Sequence, residues 1–177
     1  MIETERLMLR RWRDADREPL AEIHADADVM EWFGMGALSA EQSGAFIDRQ
    51  EAQFEALGYG LFAIERRADA RLIGFLGLSP IHHPPPAPQG VEFVWGLARS
   101  AWGAGFASEG ARAVMADGFE RLKLREILAY TSQGNLRSQA VMRRIGLHRR
   151  PDLDFDHPAL ADDHPLRPHA VFSTRAE

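Results

Sequence analysis

The sequence predicts an α+β fold with a mostly antiparallel sheet. Two patterns carry this prediction: short runs that alternate apolar and polar residues, and longer segments whose apolar residues recur at helical spacing. Their order is β-α-α-β-β-β-α-β-α-β-β, with a strand, a glycine-rich turn, a helix and a strand in succession at the centre. With 177 residues, 45% of them apolar, the chain can bury one core, so we expect a single domain over residues 1–177.

The first half of the chain predicts one strand, two helices and three further strands. The opening strand is "RLMLRRW" (6–12), in which apolar Leu7, Leu9 and, less strictly, Trp12 alternate with arginines. The runs "GLFAIERR", "RLIGFLGLSP" and "VEFVWGLA" predict an antiparallel meander with short turns. Helix caps and stops are expected at Asp14 or Asp16, at Ser39 with Gln42 three residues later, and at Gly58.

The second half alternates helices and strands before a tail rich in proline and aspartate. Apolar residues at helical spacing predict a helix through Ala111, Val114, Met115, Phe119 and Leu122. The run "REILAYT" predicts another strand, and Asn135 is expected to cap a short helix that Gly146 ends. The tail has strand-like pieces near residues 153–155 and 169–173.

Composition and charge narrow the kinds of partner that the protein can have. A net charge of -5 and a pI near 5.8 give no general attraction to nucleic acid or to an anionic membrane. The chain has no cysteine, so disulfides, thiolate metal sites and a cysteine nucleophile are excluded. Since the first residues lack the apolar core of a signal peptide and no long apolar span follows, we expect a cytoplasmic protein without a membrane segment.

The turn "WGAGFASEG" (102–110) has three glycines between a predicted strand and a predicted helix. Such a turn lets backbone N–H groups approach an anion beside the positive end of the helix dipole. Two familiar phosphate loops do not fit: a Rossmann turn needs a glycine where Ser108 stands, and a Walker A loop needs a lysine after Gly110, where Ala111 stands. We therefore expect a less highly charged phosphate group, held by the backbone.

The segment "VEFVWGLARSAWGAGFASEGARAVMADGF", followed by "NLRSQAVMRRIGL", resembles the acetyl-CoA site of the GNAT N-acetyltransferases. "TERLMLRRW", "LIGFLGLS" and the N-x-x-S before "RRIGL" are similar to the RimJ/RimL-like branch, which acetylates protein N-termini or small amines. The resemblance implies the GNAT fold: a central mixed, mostly antiparallel twisted sheet of six to seven strands flanked by about four helices. It also implies a V-shaped cofactor cleft between strands 4 and 5.

The same resemblance implies acetyl-CoA as cosubstrate and no metal. Main-chain groups of Leu97 and Arg99 would hold the pantetheine amides, where the backbone of residues 93–97 splays from the next strand. Asn135 would contact the cofactor as well as cap its helix. The family often has Gln or Arg where Ser100 stands, and Arg99 is a candidate replacement. The implied pyrophosphate-binding turn consists of Trp102, Gly103, Ala104, Gly105, Phe106 and Ala107.

Acetyl transfer to an amine needs a deprotonated nucleophile and a route for its proton. Glu92 is the candidate base, directly or through water; the alternatives are an exposed strand glutamate and a structural salt bridge. Ser138 matches a serine that the branch uses to assist the departing thiolate; the alternative is a serine that bonds its own helix. Many relatives use a tyrosine as the acid, but here the only tyrosines, Tyr59 and Tyr130, are elsewhere in the chain.

Two further segments are candidates for binding the acceptor. Trp32 and Phe33 fall in the region that lines the acceptor pocket in the family, and core packing is the alternative. Asp152, Asp154 and Asp156 alternate and could attract a cationic acceptor, although a solvated acidic edge is the simpler interpretation.

Histidines without the spacing of a zinc site are expected in loops: His82, His83, His157, His164 and His169.

These observations predict an enzyme that transfers acetyl from acetyl-CoA to a primary amine by direct attack in a ternary complex. The acceptor is either a protein N-terminal α-amine or a small-molecule amine. A non-catalytic acyl-CoA-binding sensor or scaffold is the alternative from another class. We expect no nucleic-acid or membrane partner, and a homodimer is possible because soluble oligomers are most often dimers.

Overall fold

The structure is a computed structural model that describes residues 1–175. The chain forms two compact units, the first made of residues 1–78 and 94–114 and the second of residues 79–93 and 115 onward. The chain passes between the units within two strands and one helix, which therefore contribute to both. The single domain expected from the length of the chain stays a prediction.

The first unit contains the N-terminal strands and helices. Its strands lie in the order β1-β2-β3-β4-β5, and β1 to β4 pair antiparallel. Its elements are β1 (Ile2–Glu3), β2 (Leu7–Arg10), α1 (Arg17–Ala25), α2 (Ala27–Met30), α3 (Ala40–Leu57), β3 (Leu61–Arg66), residues 71–78 of β4 (Arg71–Pro80), residues 94–97 of β5 (Val91–Leu97) and residues 106–114 of α4 (Phe106–Glu120). The predicted strand, two helices and three further strands occur in this order, and the structure adds the two-residue β1 and the single-turn α2.

Strand β2 places both apolar and charged side chains in the interior of the first unit. Leu7 and Leu9 are fully buried, as their alternation predicts. Arg10 is also buried, because Asp16 accepts two hydrogen bonds from its guanidinium at 2.7 and 2.8 Å and Glu65 accepts a third at 2.7 Å. The expectation that Asp14 or Asp16 caps this helix is met only by position: Asp16 precedes α1, but its carboxylate accepts hydrogen bonds from Arg10 and from the Arg13 backbone N–H at 2.8 Å and none from α1.

Helix α3 has the ends that the sequence predicts. The Ser39 hydroxyl accepts a hydrogen bond from the Gln42 backbone N–H at 3.2 Å, and the Gln42 side chain accepts one from the Ser39 N–H at 2.8 Å. Gly58 ends the helix in the left-handed region, with φ of 74°. Ile47 and Phe54, on the inner face, are buried.

The core of the first unit includes a neutral histidine. His24 is 1% exposed, and its Nδ1 lies 3.0 Å from the Ser43 hydroxyl. The rings of Phe46 and Phe75 meet the imidazole edge-on at centroid distances of 5.2 and 5.5 Å. Burial lowers the pKa of His24 to about 4, since a charged imidazolium would be poorly solvated among these rings.

The buried imidazole predicts a loss of stability in acid. The unfolded chain binds a proton near pH 6.5, whereas folded His24 binds one only near pH 4. Its contribution is complete above pH 6.5 and is lost as the pH falls towards 4. We expect about 2 kcal/mol of the free energy of unfolding to be lost through His24 between pH 7.5 and pH 5. Urea titrations at both pH values should show a smaller loss in His24→Leu, whereas the exposed His82→Leu should behave like the parent chain.

The second unit contains the C-terminal half of the chain. Its strands lie in the order β5-β6-β9-β7, with β8 also paired to β9; β5 and β6 are parallel, and the pairs that β9 makes are antiparallel. Its elements are residues 79–80 of β4, 91–93 of β5 and 115–120 of α4, then β6 (Glu126–Ser132), α5 (Leu136–Arg144), β7 (His148–Arg149), β8 (Phe155–Asp156) and β9 (Pro168–Arg175). The strand-like piece near residues 169–173 is thus part of β9, the longest strand of this unit.

The tail strands build the core of the second unit. Tyr130 and Leu153 pack against its buried residues, which are Ile81, Ala87, Leu128, Phe155 and Val171. Phe155 lies opposite His169 in the β8–β9 pair, and Tyr130 lies opposite Val171 in the β6–β9 pair. The proline-rich tail is therefore a structural part of this unit.

The predicted α+β class and the mixed, mostly antiparallel sheet are confirmed. Among residues 1–175, three of the nine strands have two residues each and α2 has a single turn, so six longer strands and four longer helices remain, as expected. Within the same residues, no helix combines the length and the apolar character needed to cross a bilayer. The V-shaped cleft stays a prediction.

Candidate functional site

The glycines of the turn at residues 102–110 serve two different purposes. Gly103 and Gly105 have φ of 75° and 81°, a region that residues with a Cβ adopt at a cost, and a Cβ at either would meet ordinary contacts or open space. Gly110 lies inside α4, where a Cβ would come within 2.5 Å of Leu76 Cδ2. Two glycines therefore shape the turn, and the third lets α4 pack closely on β4.

Arg6, near the N-terminus, contacts the glycine turn about 100 residues away in the sequence. Its guanidinium donates a hydrogen bond to the Ala104 carbonyl at 3.0 Å and lies 4.6 Å from the centroid of the Phe106 ring. Glu109, in the first turn of α4, accepts hydrogen bonds from the Arg6 side chain at 2.6 Å and from the Thr4 hydroxyl at 2.6 Å. We did not predict Arg6 from the sequence, because its partners are about 100 residues away; the only signal was its place in "TERLMLRRW".

The main-chain carbonyls of Leu97 and Arg99 already accept hydrogen bonds within the protein, that of Arg99 from the Trp102 backbone N–H at 3.2 Å. The Leu97 carbonyl accepts a hydrogen bond from the Trp102 indole at 2.9 Å, which ties β5 to the start of the glycine turn. Arg99 forms an ion pair with Asp28, and its side chain is 65% exposed. Arg99 could compensate the charge of a pyrophosphate in place of Ser100, where the family often has Gln or Arg, only if its guanidinium were shared with or released from Asp28. The roles of Leu97 and Arg99 in cofactor binding stay predictions.

Trp32 and Phe33 form a turn of 3-10 helix with Glu31, after α2. Phe33 is half-buried and contacts two apolar clusters of the first unit, with its ring 6.0 Å from that of Phe75. Packing thus accounts for Phe33. Trp32 is half-buried and belongs to neither cluster. An acceptor-binding role stays a prediction for both residues.

In the second unit, Glu92 is a partly buried carboxyl group with a raised pKa. It lies on β5 opposite Leu128 of β6 and is partly buried. Burial raises the pKa of its carboxyl to about 7, while a hydrogen bond from the Tyr130 hydroxyl acts in the opposite direction. No arginine, lysine or histidine of residues 1–175 forms an ion pair with it. The alternative of a structural salt bridge therefore has no support here.

Tyr130 is the residue of this site that sequence reasoning missed. Its chain position did not match the tyrosine acid of other relatives, and the parallel pairing of β5 with β6 could not be deduced from the sequence. Burial and the nearby Glu92 carboxylate both raise the pKa of the Tyr130 phenol above its usual value. The phenol is therefore protonated at neutral pH and acts as a hydrogen-bond donor.

Asn135 caps α5 as predicted and orders the Ser138 hydroxyl. The Asn135 carbonyl Oδ1 accepts a hydrogen bond from the Ser138 N–H at 3.1 Å. Its Nδ2 donates to the Ser138 Oγ at 3.1 Å and to the Thr131 Oγ1 at 3.0 Å. Ser138 Oγ therefore acts as an acceptor, and within residues 1–175 its own proton has no protein acceptor. Such a hydroxyl is available to donate to a ligand, so its catalytic role stays a prediction.

The acidic residues of the tail are neutralised by arginines. Asp152 pairs with Arg150 at 2.8 Å, and Asp156 pairs with Arg167 at 3.6 Å. Asp154 pairs with Arg149. Asp152 and Asp156 stay largely exposed, and Arg167 also pairs with Asp162 at 2.6 Å, so attraction of a cationic acceptor by this edge stays a prediction.

Three of the histidines expected in loops lie together, although His169 is part of strand β9 and not of a loop. His83 Nε2 is 3.2 Å from His157 Nε2, and the His157 and His169 rings are 4.9 Å apart. Burial lowers the pKa of all three, that of His157 to about 4, so the cluster is neutral near pH 7. Among the described residues, no group of three or more His, Asp or Glu side chains is arranged to hold a metal ion.

Comparison with known proteins identifies the family. Residues 6–148 match the model described as "Acetyltransferase (GNAT) domain". The chain belongs to the GNAT acetyltransferase family. This GNAT chain is 26% identical over 148 residues to the "Uncharacterized N-acetyltransferase YnaD" of Bacillus subtilis (strain 168), an alignment that covers 84% of this chain and 82% of the relative. The predicted enzyme class, an acetyl-CoA-dependent N-acetyltransferase, is confirmed.

Solved GNAT structures share the fold over nearly the whole chain. An acetyltransferase of Agrobacterium tumefaciens str. C58 is 26% identical with a TM-score of 0.77, covering 99% of this chain and 94% of its own. The spermidine N-acetyltransferase of Vibrio cholerae, solved with CoA and spermine, is 14% identical with a TM-score of 0.76 (97% and 96% covered). RimL, a ribosomal L7/L12 α-N-protein acetyltransferase solved with coenzyme A, is 16% identical with a TM-score of 0.74 (97% and 95% covered). The RimJ/RimL-like branch is thus represented among the proteins that have this fold.

Proposed function

We propose that this GNAT protein transfers the acetyl group of acetyl-CoA to a primary amine by direct attack within a ternary complex, with Glu92 as general base. The observation that carries the proposal is the Glu92 carboxyl, which is partly buried on β5 and whose pKa burial raises to about 7. A base of this strength is half ionised at neutral pH and can accept a proton there. Removing a carboxylate from water costs free energy, so a glutamate that only kept the protein soluble is expected to be fully exposed.

The residues divide the reaction between them in the following way. The exposed turn of residues 102–105 and the start of α4 bind the pyrophosphate of acetyl-CoA through backbone N–H groups. Glu92 removes a proton from the amine, whose nitrogen forms the new C–N bond to the acetyl carbon. As the C–S bond breaks, the sulfur of CoA leaves with its electron pair, and Ser138 donates a hydrogen bond to it. A thiol with a pKa near 8.5 is already a fair leaving group, so Ser138 needs to contribute little.

The strength of the base favours a weakly basic acceptor. An α-amine has a pKa near 7.8 and a side-chain-like primary amine one near 10.4, so transfer of the proton to a carboxyl of pKa about 7 is uphill by roughly one unit or by more than three. Spermine and a ribosomal protein are bound or modified by the two fold relatives described above. Of these two chemical classes, we infer that a peptide α-amine is the better acceptor at neutral pH.

Thermal unfolding and turnover in one plate test this function. Acetyl-CoA at 100 times its dissociation constant should add about 2.7 kcal/mol to the free energy of unfolding, and thiol release should follow with peptides that have a free α-amine, faster than with spermine at pH 7. An N-terminally acetylated copy of each peptide is the control and should give no thiol. Stabilisation without turnover on any amine would contradict the proposal and support an acyl-CoA sensor or scaffold. No stabilisation would show that the glycine turn binds something else.

A homodimer stays a prediction that the same purified protein can test. Sedimentation equilibrium with and without acetyl-CoA gives the mass of the assembly, and a monomer under both conditions would contradict the expectation.

A further inference from the structure

We propose that Tyr130 is a positioning residue for Glu92. Phe155 and His169 of the tail pack against the Tyr130 ring, and the Tyr130 hydroxyl holds the Glu92 carboxyl ionised and in one orientation. The proposal rests on the proposed function of Glu92 as the base. It gives the tail, whose role the sequence did not indicate, a connection to the reaction.

The strand register brings the two side chains together. Glu92 on β5 lies opposite Leu128 in the parallel β5–β6 pair. Tyr130 is two residues further along β6, and residues two apart in a strand point to the same face of the sheet. The Tyr130 side chain therefore lies on the same face of the sheet as the Glu92 side chain, and hydrogen bonding by its hydroxyl lowers the pKa of the Glu92 carboxyl.

The tail holds the Tyr130 ring on two sides. The Phe155 ring meets it edge-on, with centroids 5.2 Å apart and an interplanar angle of 81°. The His169 ring meets it at 5.8 Å and 65°. Phe155 and His169 lie opposite each other in the β8–β9 pair, and their own rings are 5.3 Å apart. Because an aromatic ring has few rotamers and two rings pack against this one, the position of the phenol oxygen is fixed as well.

Among the titratable groups near Glu92 and Tyr130, the Tyr130 hydroxyl is the one that stabilises the Glu92 carboxylate. Of the described titratable residues, Tyr130 alone acts on the titration of Glu92. On the tail side, His169 donates its Nδ1–H to the Arg167 carbonyl at 2.9 Å and is neutral near pH 7, as are His157 and His83 beyond it. A donor to a carboxylate stabilises the charged form, so the Tyr130 hydroxyl offsets part of what burial costs the Glu92 charge.

Tyr130→Phe removes the hydroxyl and keeps the ring. We expect the acid limb of kcat/KM to move up by roughly one pH unit, so that the variant is about tenfold slower below the limb and approaches the parent enzyme above it. Tyr59→Phe changes the only other tyrosine and should leave the limb in place. A uniform fall in kcat/KM at every pH, without movement of the limb, would mean that Tyr130 only supports the fold and would overturn the proposal.

A second measurement separates this proposal from the proposed function. The carboxyl of Glu92 can be titrated by NMR in protein with isotope-labelled glutamate, its signal being the one that disappears in Glu92→Gln. In Tyr130→Phe that titration should move up with the kinetic limb. An unchanged titration would overturn the positioning role of Tyr130, even if Glu92 is the base. If the titration moves but the kinetic limb does not, Glu92 is not the base, and the proposed function is overturned instead.

Discussion

Glu92→Gln is expected to lower kcat/KM for amine acetylation by roughly 100-fold or more, the usual contribution of a positioned general base. The amide has nearly the shape of the carboxyl but cannot accept a proton. The loss should be largest with the strongest base as acceptor, such as a polyamine, because such an amine is almost wholly protonated at neutral pH. Initial rates of thiol release at saturating acetyl-CoA measure the effect.

The role of Glu92 as the base also predicts the direction in which kcat/KM changes with pH. Since the pKa of Glu92 is about 7, the base is ionised above that pH and protonated below it, so kcat/KM of the parent enzyme should rise through pH 7. In Glu92→Gln that limb should be absent. Glu126→Gln is the matched control: it lies on β6 in the same unit and forms an ion pair with Arg150 at 3.2 Å, so it should keep both the limb and most of the rate. Equal losses in the two variants would show that Glu92 has only a structural role.

The order of the elements could be predicted because each depends on residues close in sequence. The capping box of Ser39 and Gln42 and the cap at Asn135 are local patterns of hydrogen bonds, and both were found where the sequence indicated them. The alternation of Leu7 and Leu9 likewise reports a buried strand face. Asp16 shows the limit of such reasoning, because a capping residue and the partner of a buried arginine look the same until the fold brings Arg10 to it.

The candidate site was predicted less completely because its geometry depends on pairings distant in sequence. Glu92 was identified on its own, but Tyr130 became relevant only through the parallel register of β5 and β6. Arg6 was missed for the same reason, because the carbonyl that it contacts, that of Ala104, is about 100 residues away in the sequence. The three tail aspartates are similar, since the arginine that pairs with each of them could not be deduced from their alternation in the sequence. Family resemblance supplied roles for single residues, whereas the structure supplied their partners.

Gly105→Val is expected to abolish most of the stabilisation by acetyl-CoA. Gly105 has φ of 81°, and a residue with a Cβ pays roughly 1–2 kcal/mol to remain there. A β-branched valine is expected to leave this region, and the backbone N–H groups at the start of α4 would then turn away from the pyrophosphate. We expect affinity for coenzyme A to fall at least tenfold, which corresponds to about 1.4 kcal/mol. Isothermal titration calorimetry with coenzyme A measures it directly, and Gly105→Ala, with a smaller side chain, should show a weaker effect in the same direction.

Gly146→Val separates loss of binding from loss of stability. Gly146 follows α5 with φ of 92°, and a Cβ there would meet nothing within 4 Å, so valine brings the same kind of backbone strain without a steric clash. Both variants should therefore lose similar amounts of stability in the absence of ligand, but only Gly105→Val should lose the response to coenzyme A. Because Gly105 is exposed and its Cβ would meet only Arg6 Nη2 at 3.7 Å, crowding inside the protein cannot explain such a difference. Equal affinity for coenzyme A in the two variants would mean that the conformation of the glycine turn is not what binds the cofactor.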